Sequence, residues 1–425
     1  MFSEKIHFQI SYFLLMLAMI TIPFTIFFML PILNLLFLNF IFQNRWRLRW
    51  NRIKENKMDR YLWLFLSFFI LYLIGMFYTN NIRYGFTNIE NKLWFLLIPF
   101  LIFMTDRTFF TPKKIFFLIF VFIISTAVMS ISNMCISTIQ YMKIPDIALF
   151  YYGNASHLPT WRPMHPSYLS MYITFSFVAT LYYLFLSPIT LNKWIKGVLM
   201  ATVPIFIMFN YLLQSKTGLI VFVLVLISSV LFLINRKKNH IGRSLIFVFL
   251  IVVSLIGTLK YGSGTMNRIP EGFKYFLQGD HKDDASVSRR VVAWKISIEQ
   301  ALKHLPFGVG TGDVEDVLVS QYQKQNYVEL SKERLNSHNQ YIHTFLAIGI
   351  MGLLSIVIYF IIPLYQTIKR KKFLYFSFLC IVLINLLTES MFETGAGANF
   401  IALFMCLLAY DAFVPHDLQS LKTKE

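Results

Sequence analysis

The sequence predicts an all-α integral membrane protein of about 12 transmembrane helices, with one long helical extracytoplasmic loop between spans 9 and 10. Three observations carry this. The 425 residues are 56% hydrophobic and only 14% charged, against roughly 25% charged residues in a soluble domain. The apolar residues gather into runs that suit a bilayer, which needs about 20 residues per helix with a range of about 17–25. The basic residues behind the formal net charge of +18 sit in short blocks between those runs, as they do in cytoplasmic loops of membrane proteins.

In chain order, the spans cover roughly 7–22, 24–42, 61–78, 86–104, 115–140, 166–187, 196–213, 217–234, 244–261, 339–363, 373–388 and 396–414. The first two are a tight pair broken at Pro23. The seventh and eighth are separated only by Gln214-Ser215-Lys216-Thr217. Basic blocks at 43–60, 105–114, 188–196, 235–243 and 364–372 all fall on one side of a twelve-span chain, together with both termini. That side is therefore cytoplasmic. The opposite side receives two long stretches, 141–165 and 262–337. Within the second, Val291, Trp294, Ile298 and Leu302 recur at helical spacing, and Pro306 stops the helix, expected over 288–304. A second, amphipathic helix is expected over 314–326. The Gly308-Val-Gly310-Thr-Gly312 run between them is not G-x-G-x-x-G and follows no strand, so it reads as a tight turn and not a nucleotide loop. The chain reads as one polytopic domain, 1–425, with 262–337 as an extracytoplasmic loop within it.

The basic balance points to lipid headgroups and topology, not to nucleic acid. Cys135, Cys380 and Cys406 lie inside apolar runs and read as small core residues. The first run lacks a small-residue cleavage site and is followed at once by another, so no cleavable signal is expected. No H-E-x-x-H, D-x-D or Cys/His spacing appears, and no metal or cofactor is expected.

The polar residues worth explaining cluster on the outer side. Arg289 and Arg290 head the loop helix, and Lys216 sits at a span junction. Each alone suits a lipid-phosphate contact; together they suit an anion site, because guanidinium forks grip phosphate oxygens and lysine adds a point charge. His338 opens the tenth span. It is a candidate general base, since imidazole titrates near neutrality, or an interfacial residue. Asn339 either holds it or caps the following helix. His343 reads as a structural polar contact. Glu389 and Glu393, between the last two spans, are expected to pair with outer cations. Arg162, His165 and Tyr168 are candidate cavity-lining residues; His165-Pro166 also reads as a helix start.

At these residues the sequence resembles the O-antigen ligase and O-antigen polymerase superfamily, the Wzy-C-type membrane domain. The resemblance rests on Ser215-x-Thr217-Gly218 at a span start and on the Arg290-x-x-x-Trp294 helix. That helix runs into Pro306-x-Gly308-x-Gly310, and His338-Asn339-x-Tyr341 then enters a span with Gly349 and Gly352. It covers about residues 200–365. It implies transfer of a polyprenyl-diphosphate-linked glycan, without metal, to a hydroxyl acceptor at the periplasmic face of the inner membrane. Arg290, with Arg289 beside it, and Lys216 would hold the diphosphate, and His338 would activate the acceptor. The family usually has Arg where this chain has Lys216, which cannot make the bidentate fork.

The implied activity is a glycosyltransferase of the O-antigen ligase type, serving lipopolysaccharide biosynthesis, with lipid A core as acceptor. A surface-polysaccharide polymerase, with a growing lipid-linked glycan as acceptor, is the alternative. A transporter of lipid-linked substrates is more remote, because broken or charged spans and internal repeats are not evident in the sequence. A structural or sensory protein would leave the loop cations dispensable.

Overall fold

A computed structural model describes residues 4–43, 46–55, 57–105, 109–143, 164–213, 215–234 and 286–414. They are helical throughout: α1 (Glu4–Thr21), α2 (Met29–Phe42), α3 (Trp46–Glu55), α4 (Asp59–Gly75), α5 (Ile82–Phe103), α6 (Pro112–Lys143), α7 (Pro166–Phe185), α8 (Lys193–Leu212), α9 (Lys216–Ile234), α10 (Ser286–Lys303), α11 (Val314–Lys324), α12 (Val328–Lys332), α13 (Gln340–Lys369), α14 (Phe373–Leu386) and α15 (Gly395–Phe413). Seven of these are long and apolar enough to cross a membrane: α4 (with the turn Met76–Tyr78), α5, α6, α7, α8, α13 and α15. Helices α2 and α14 and the stretch Gly218–Ile227 of α9 are apolar but shorter. Helix α1 coincides with the first expected span. The ninth, 244–261, lies outside the described residues.

Helix α15 is the hub. It is apolar all round and almost wholly buried, as a helix surrounded by other helices must be. Between helices in lipid the hydrophobic effect supplies little, so packing has to supply the affinity. Here it is aromatic. Phe400 and Phe404 of α15 meet Phe122 of α6, Phe175 of α7 and Phe378 of α14, with ring centroids 4.8–6.1 Å apart. Large apolar residues on the outer faces, such as Phe13, Leu38, Trp63, Phe117, Val128, Met208 and Ile361, are exposed. Such faces need a nonpolar solvent.

Three local expectations differ from the structure. Residues 46–55, read as part of a basic loop, form α3. Its Arg49 is buried, donating to the Phe40 carbonyl at 3.0 Å with its guanidinium 3.8 Å from the Phe40 ring centroid. Cys135 is exposed, while Cys406 is buried; it sits on the outward face of α6, where a small apolar side chain meets lipid as well as core. The loop helix α10 forms where expected but buries another face. Ile298 and Leu302 are exposed, and Ala293, Ser297 and Ala301 are buried. Val292, Ile296 and Gln300 are buried beside them, so the buried face mixes small and bulky residues.

The segment after α10 locks the loop into the bundle. Helix α13 is broken at Gly349 (φ 69, ψ −155). The turn 306–310 fills the break: Val309 N donates to Leu346 O and Gly310 N to Ala347 O, both at 2.9 Å, and Ile350 N donates to Pro306 O at 3.1 Å. Non-helical backbone inside a span must be satisfied by protein in this way. The next residues seal the α4–α5 corner. Thr311 Oγ1 donates to Tyr72 O at 2.6 Å, and Asp313 accepts from the backbone N–H groups of Asn80 and Asn81 at 2.8 and 2.7 Å. The Gly-rich run is therefore the expected turn between two helices, and it is also a plug.

Gly349→Ala places a methyl group against Pro306 O, only 1.9 Å from an ideal Cβ, at a backbone conformation that L residues rarely adopt. It is expected to cost about 1–3 kcal/mol or more, read as a lowered unfolding midpoint in detergent. Gly197→Ala, in α8 with nothing within 4 Å of a Cβ, is the control. It should leave the midpoint unchanged or raise it by the equivalent of up to about 1 kcal/mol.

Candidate functional site

The ends of α4 and α14 and the starts of α5, α7, α9, α13 and α15 meet at one end of the bundle. The link between α14 and α15 runs through their middle and carries Glu389 and Glu393. Both carboxylates are buried, with side chains 6% and 7% exposed. A buried charge without partners is severely destabilising, so the partners define the site.

Glu389 gathers groups from two helices and from the chain ahead of a third. Arg290 Nη2 of α10 donates to its Oε1 at 2.5 Å. His338 Nδ1, ahead of α13, lies 2.8 Å from its Oε2. Ser167 Oγ of α7 donates to Oε1 at 3.4 Å. Burial by itself would push the Glu389 carboxyl up. The His338 hydrogen bond and the positive charge of Arg290 outweigh it and hold the carboxyl below the usual range. A glutamate held ionised against Nδ1 selects the tautomer with the proton there, which leaves the Nε2 lone pair as the basic one. The His338 side chain is 22% exposed and that of Arg290 28%, so the pair stands at the rim of a buried carboxylate.

His338 reaches this position through an unusual backbone. It has φ 43, a left-handed conformation that His tolerates better than most residues, and its N–H donates to Asn336 Oδ1 at 2.8 Å. Asn339 does not hold the imidazole. It caps α13 by accepting from Ile342 N at 3.1 Å, and it donates to Leu387 O at 2.9 Å, pinning the helix to the glutamate link. His165 is the cap of α7, its Nδ1 accepting from Ser167 N at 3.3 Å. Burial pushes its pKa down and, with the charge of Arg290, outweighs the opposing charge of Glu389, which suits an acceptor nitrogen. Tyr168 is buried one residue beyond Ser167, its ring edge-on to His165.

Glu393 anchors a second group, deeper in the bundle. Lys92 Nζ of α5 donates to its Oε2 at 2.8 Å, Gln340 Nε2 to its Oε1 at 3.1 Å, and His343 Nε2 lies 3.4 Å from Oε1. Burial opposes ionisation here too, but His343 and Lys92 prevail and hold the carboxyl well below the usual range. Gln340 also accepts from Phe392 N at 2.7 Å.

The expected anion-binding residues divide. Arg290 is in the site. Arg289 is turned to Glu333, with Nη1 2.8 and 2.9 Å from its two carboxylate oxygens. Lys216 is the first residue of α9, and its side chain lies outside what the structure describes; so does Arg162. The backbone around Lys216 is well placed. Ser215 Oγ accepts from Gly218 N at 3.1 Å, and Gly218 packs on Ser170 so closely that a Cβ would lie 1.9 Å from its hydroxyl. Ser170 is one turn along α7 from Ser167, the Glu389 partner. Among the described residues, no group of three or more His, Cys, Asp or Glu side chains is arranged to hold a metal ion.

Sequence reading missed Lys92 and Gln340. Lys92 falls within the expected span 86–104 and is fully buried ten residues into α5. The signal was available, because an ionisable residue within a span has a partner or a role. The structure also supplies what the transporter reading lacked, a broken span at Gly349 and a charged one at Lys92. Both are closed by chain from outside the spans, the break by 306–310 and Lys92 by the Met391–Glu393 turn.

The fold and site thus define a multi-pass helical membrane protein with a cation, an imidazole and a shared buried carboxylate at one end of the bundle. Residues 201–357 match the Wzy_C family model, described as O-antigen ligase. The expected resemblance to the O-antigen ligase superfamily holds over this segment, which contains Lys216, Arg289, Arg290 and His338; Glu389 and Glu393 lie beyond it. No curated protein matches the chain.

Two outcomes test the electrostatics. Lys92→Met strands Glu393 and is expected to cost about 3–5 kcal/mol, part of which Lys92→Met/Glu393→Gln restores; unfolding in detergent measures both. Glu389 and Glu393 have depressed pKa values, so their stabilisation is fully present above the ordinary carboxylate value of 4.5 and fades as pH falls below it. The unfolding midpoint should drop with acidification in that window, and Glu389→Gln should flatten the drop.

Proposed function

We propose that the protein is a glycosyltransferase of the O-antigen ligase type, acting at the extracytoplasmic face of the inner membrane in lipopolysaccharide biosynthesis. It would transfer a glycan from a polyprenyl-diphosphate carrier of the undecaprenyl type to a hydroxyl of lipid A core. The observation that supports this best is one carboxylate, Glu389, bonded to both Arg290 and His338. It puts an anion-binding group and a base of fixed tautomer side by side.

In this reading Arg290 shares its remaining N–H donors with the donor's diphosphate, while Lys216 and Arg289 add positive charge around it. His338 Nε2 takes the proton of the acceptor hydroxyl as that oxygen attacks the anomeric carbon. The new C–O bond forms as the C–O bond to phosphate breaks, and the diphosphate leaves as an anion that the cations neutralise. Glu389 stabilises the imidazolium so formed, the role of the third member of a nucleophile–base–orienter set. Single displacement inverts the anomeric centre. No metal is needed for the charge balance, since fixed cations perform the neutralisation.

Loss of the gene is expected to leave lipid-linked glycan unattached to lipid A core, seen on a gel as a missing surface-polysaccharide ladder. Attachment of single repeat units only would instead indicate a polymerase, and an unchanged profile would sink both readings. His338→Ala and Arg290→Ala should abolish transfer at normal membrane levels. Glu389→Gln keeps a hydrogen-bonding group but not the charge, and should slow turnover by about 10²–10⁴-fold; full activity would remove Glu389 from the mechanism.

A further inference from the structure

The opposite end of the bundle holds a cavity with charged residues in its walls. It has a volume of about 400 Å³ and is lined by Glu4, Lys5, Phe8 and Gln9 of α1, Arg52 of α3, Phe109, and Lys114 of α6. Among the described residues that line it, three cations face one carboxylate. Arg52 Nη2 holds Glu4 Oε1 at 2.8 Å, whereas Lys5 and Lys114 have no carboxylate partner among the described residues. The walls are built, not incidental. Phe8 and Phe109 stack with centroids 4.8 Å apart, Lys114 Nζ lies 4.4 Å from the Phe109 centroid, and Tyr12 Oη donates to Lys114 O at 3.0 Å, tying α1 to α6.

What lies beside the cavity identifies its occupant. Phe13 is four residues on from Gln9, and Phe117 three on from Lys114, so each shares its neighbour's helix face. Both are exposed, at 55% and 45%. On α1 the exposed residues Ile6, Phe13 and Ile20 continue as a stripe along the helix. A cationic cavity that opens onto an apolar stripe fits a molecule with an anionic head and an acyl tail. Free phosphate would leave the stripe unused.

We propose that this cavity binds the phosphate of one anionic phospholipid, held by Lys5, Lys114 and Arg52, with an acyl chain along the Phe13 and Phe117 faces. With the Glu389 end facing outward, as proposed above, this end meets the cytoplasmic leaflet, where anionic lipids are attracted by juxtamembrane basic residues. The site is separate from the transfer chemistry and survives even if that reading fails.

The test is native mass spectrometry of the purified full chain, titrated with phosphatidylglycerol or phosphatidylcholine, with and without millimolar inorganic phosphate. One phosphatidylglycerol should bind in preference to phosphatidylcholine and resist displacement by phosphate. Lys5→Gln/Lys114→Gln should weaken it about thirtyfold, and the exposed Lys5→Gln alone about fivefold. Both variants should unfold at the wild-type midpoint in phosphatidylcholine alone, and Lys5→Arg/Lys114→Arg should bind like wild type. Unchanged affinity in the glutamine variants, equal binding of phosphatidylcholine, or displacement by inorganic phosphate would each overturn the proposal.

Discussion

A carboxylate buried at the end of a helical bundle cannot be left alone, and Glu389 sets the terms for everything around it. It is 5% exposed as a residue, and removing it from water is tolerable only if cations and hydrogen bonds replace the lost hydration. The chain meets that demand with groups far apart in sequence, Ser167, Arg290 and His338. Satisfying the carboxylate therefore also assembles the site. The same bond that keeps Glu389 ionised fixes the proton of His338 on Nδ1, and the same oxygen that receives Ser167 draws Arg290 beside the imidazole. Glu393 repeats the device one turn deeper with Lys92 and Gln340, which anchors the link from below.

The loop that carries Arg290 is held by backbone hydrogen bonds as well as by its ion pairs. The turn 306–310 supplies the hydrogen bonds that α13 loses at Gly349, and Asp313 caps the exposed amides of the α4–α5 corner. Each partner would be left with unsatisfied polar groups without the other, so helix break and loop stabilise each other. This explains why the start of α13, with His338 and Asn339, keeps a fixed position relative to α10.

The two ends of the bundle use charge differently. At the Glu389 end, cations are matched by buried carboxylates. At the other end, Lys114 lies over the rings of Tyr12 and Phe109, and neither it nor Lys5 has a carboxylate partner among the described residues. Between them the interior holds its shape through aromatic packing around α15, where apolar surroundings give no hydrophobic drive.

Much of this was legible in the sequence. Apolar run length and the blocks of Lys and Arg determine an all-helical membrane protein with its polar motifs on one side, because bilayer thickness and headgroup charge act on local sequence. The helix over 288–304 with its Pro306 stop, the turn at Gly308–Gly312 and the cap at Asn339 are local too, and each formed where expected. Which face α10 buries was not legible, because tertiary packing and not the spacing of its large residues decides it: Val292, Ala293, Ile296 and Ser297 are buried while Ile298 and Leu302 are exposed. Nor was the bond from Glu389 to His338, or that from Lys92 to Glu393. Those pairings span 51 and 301 residues. Only the packed bundle brings such groups within 3 Å, and only burial there makes the pairing obligatory.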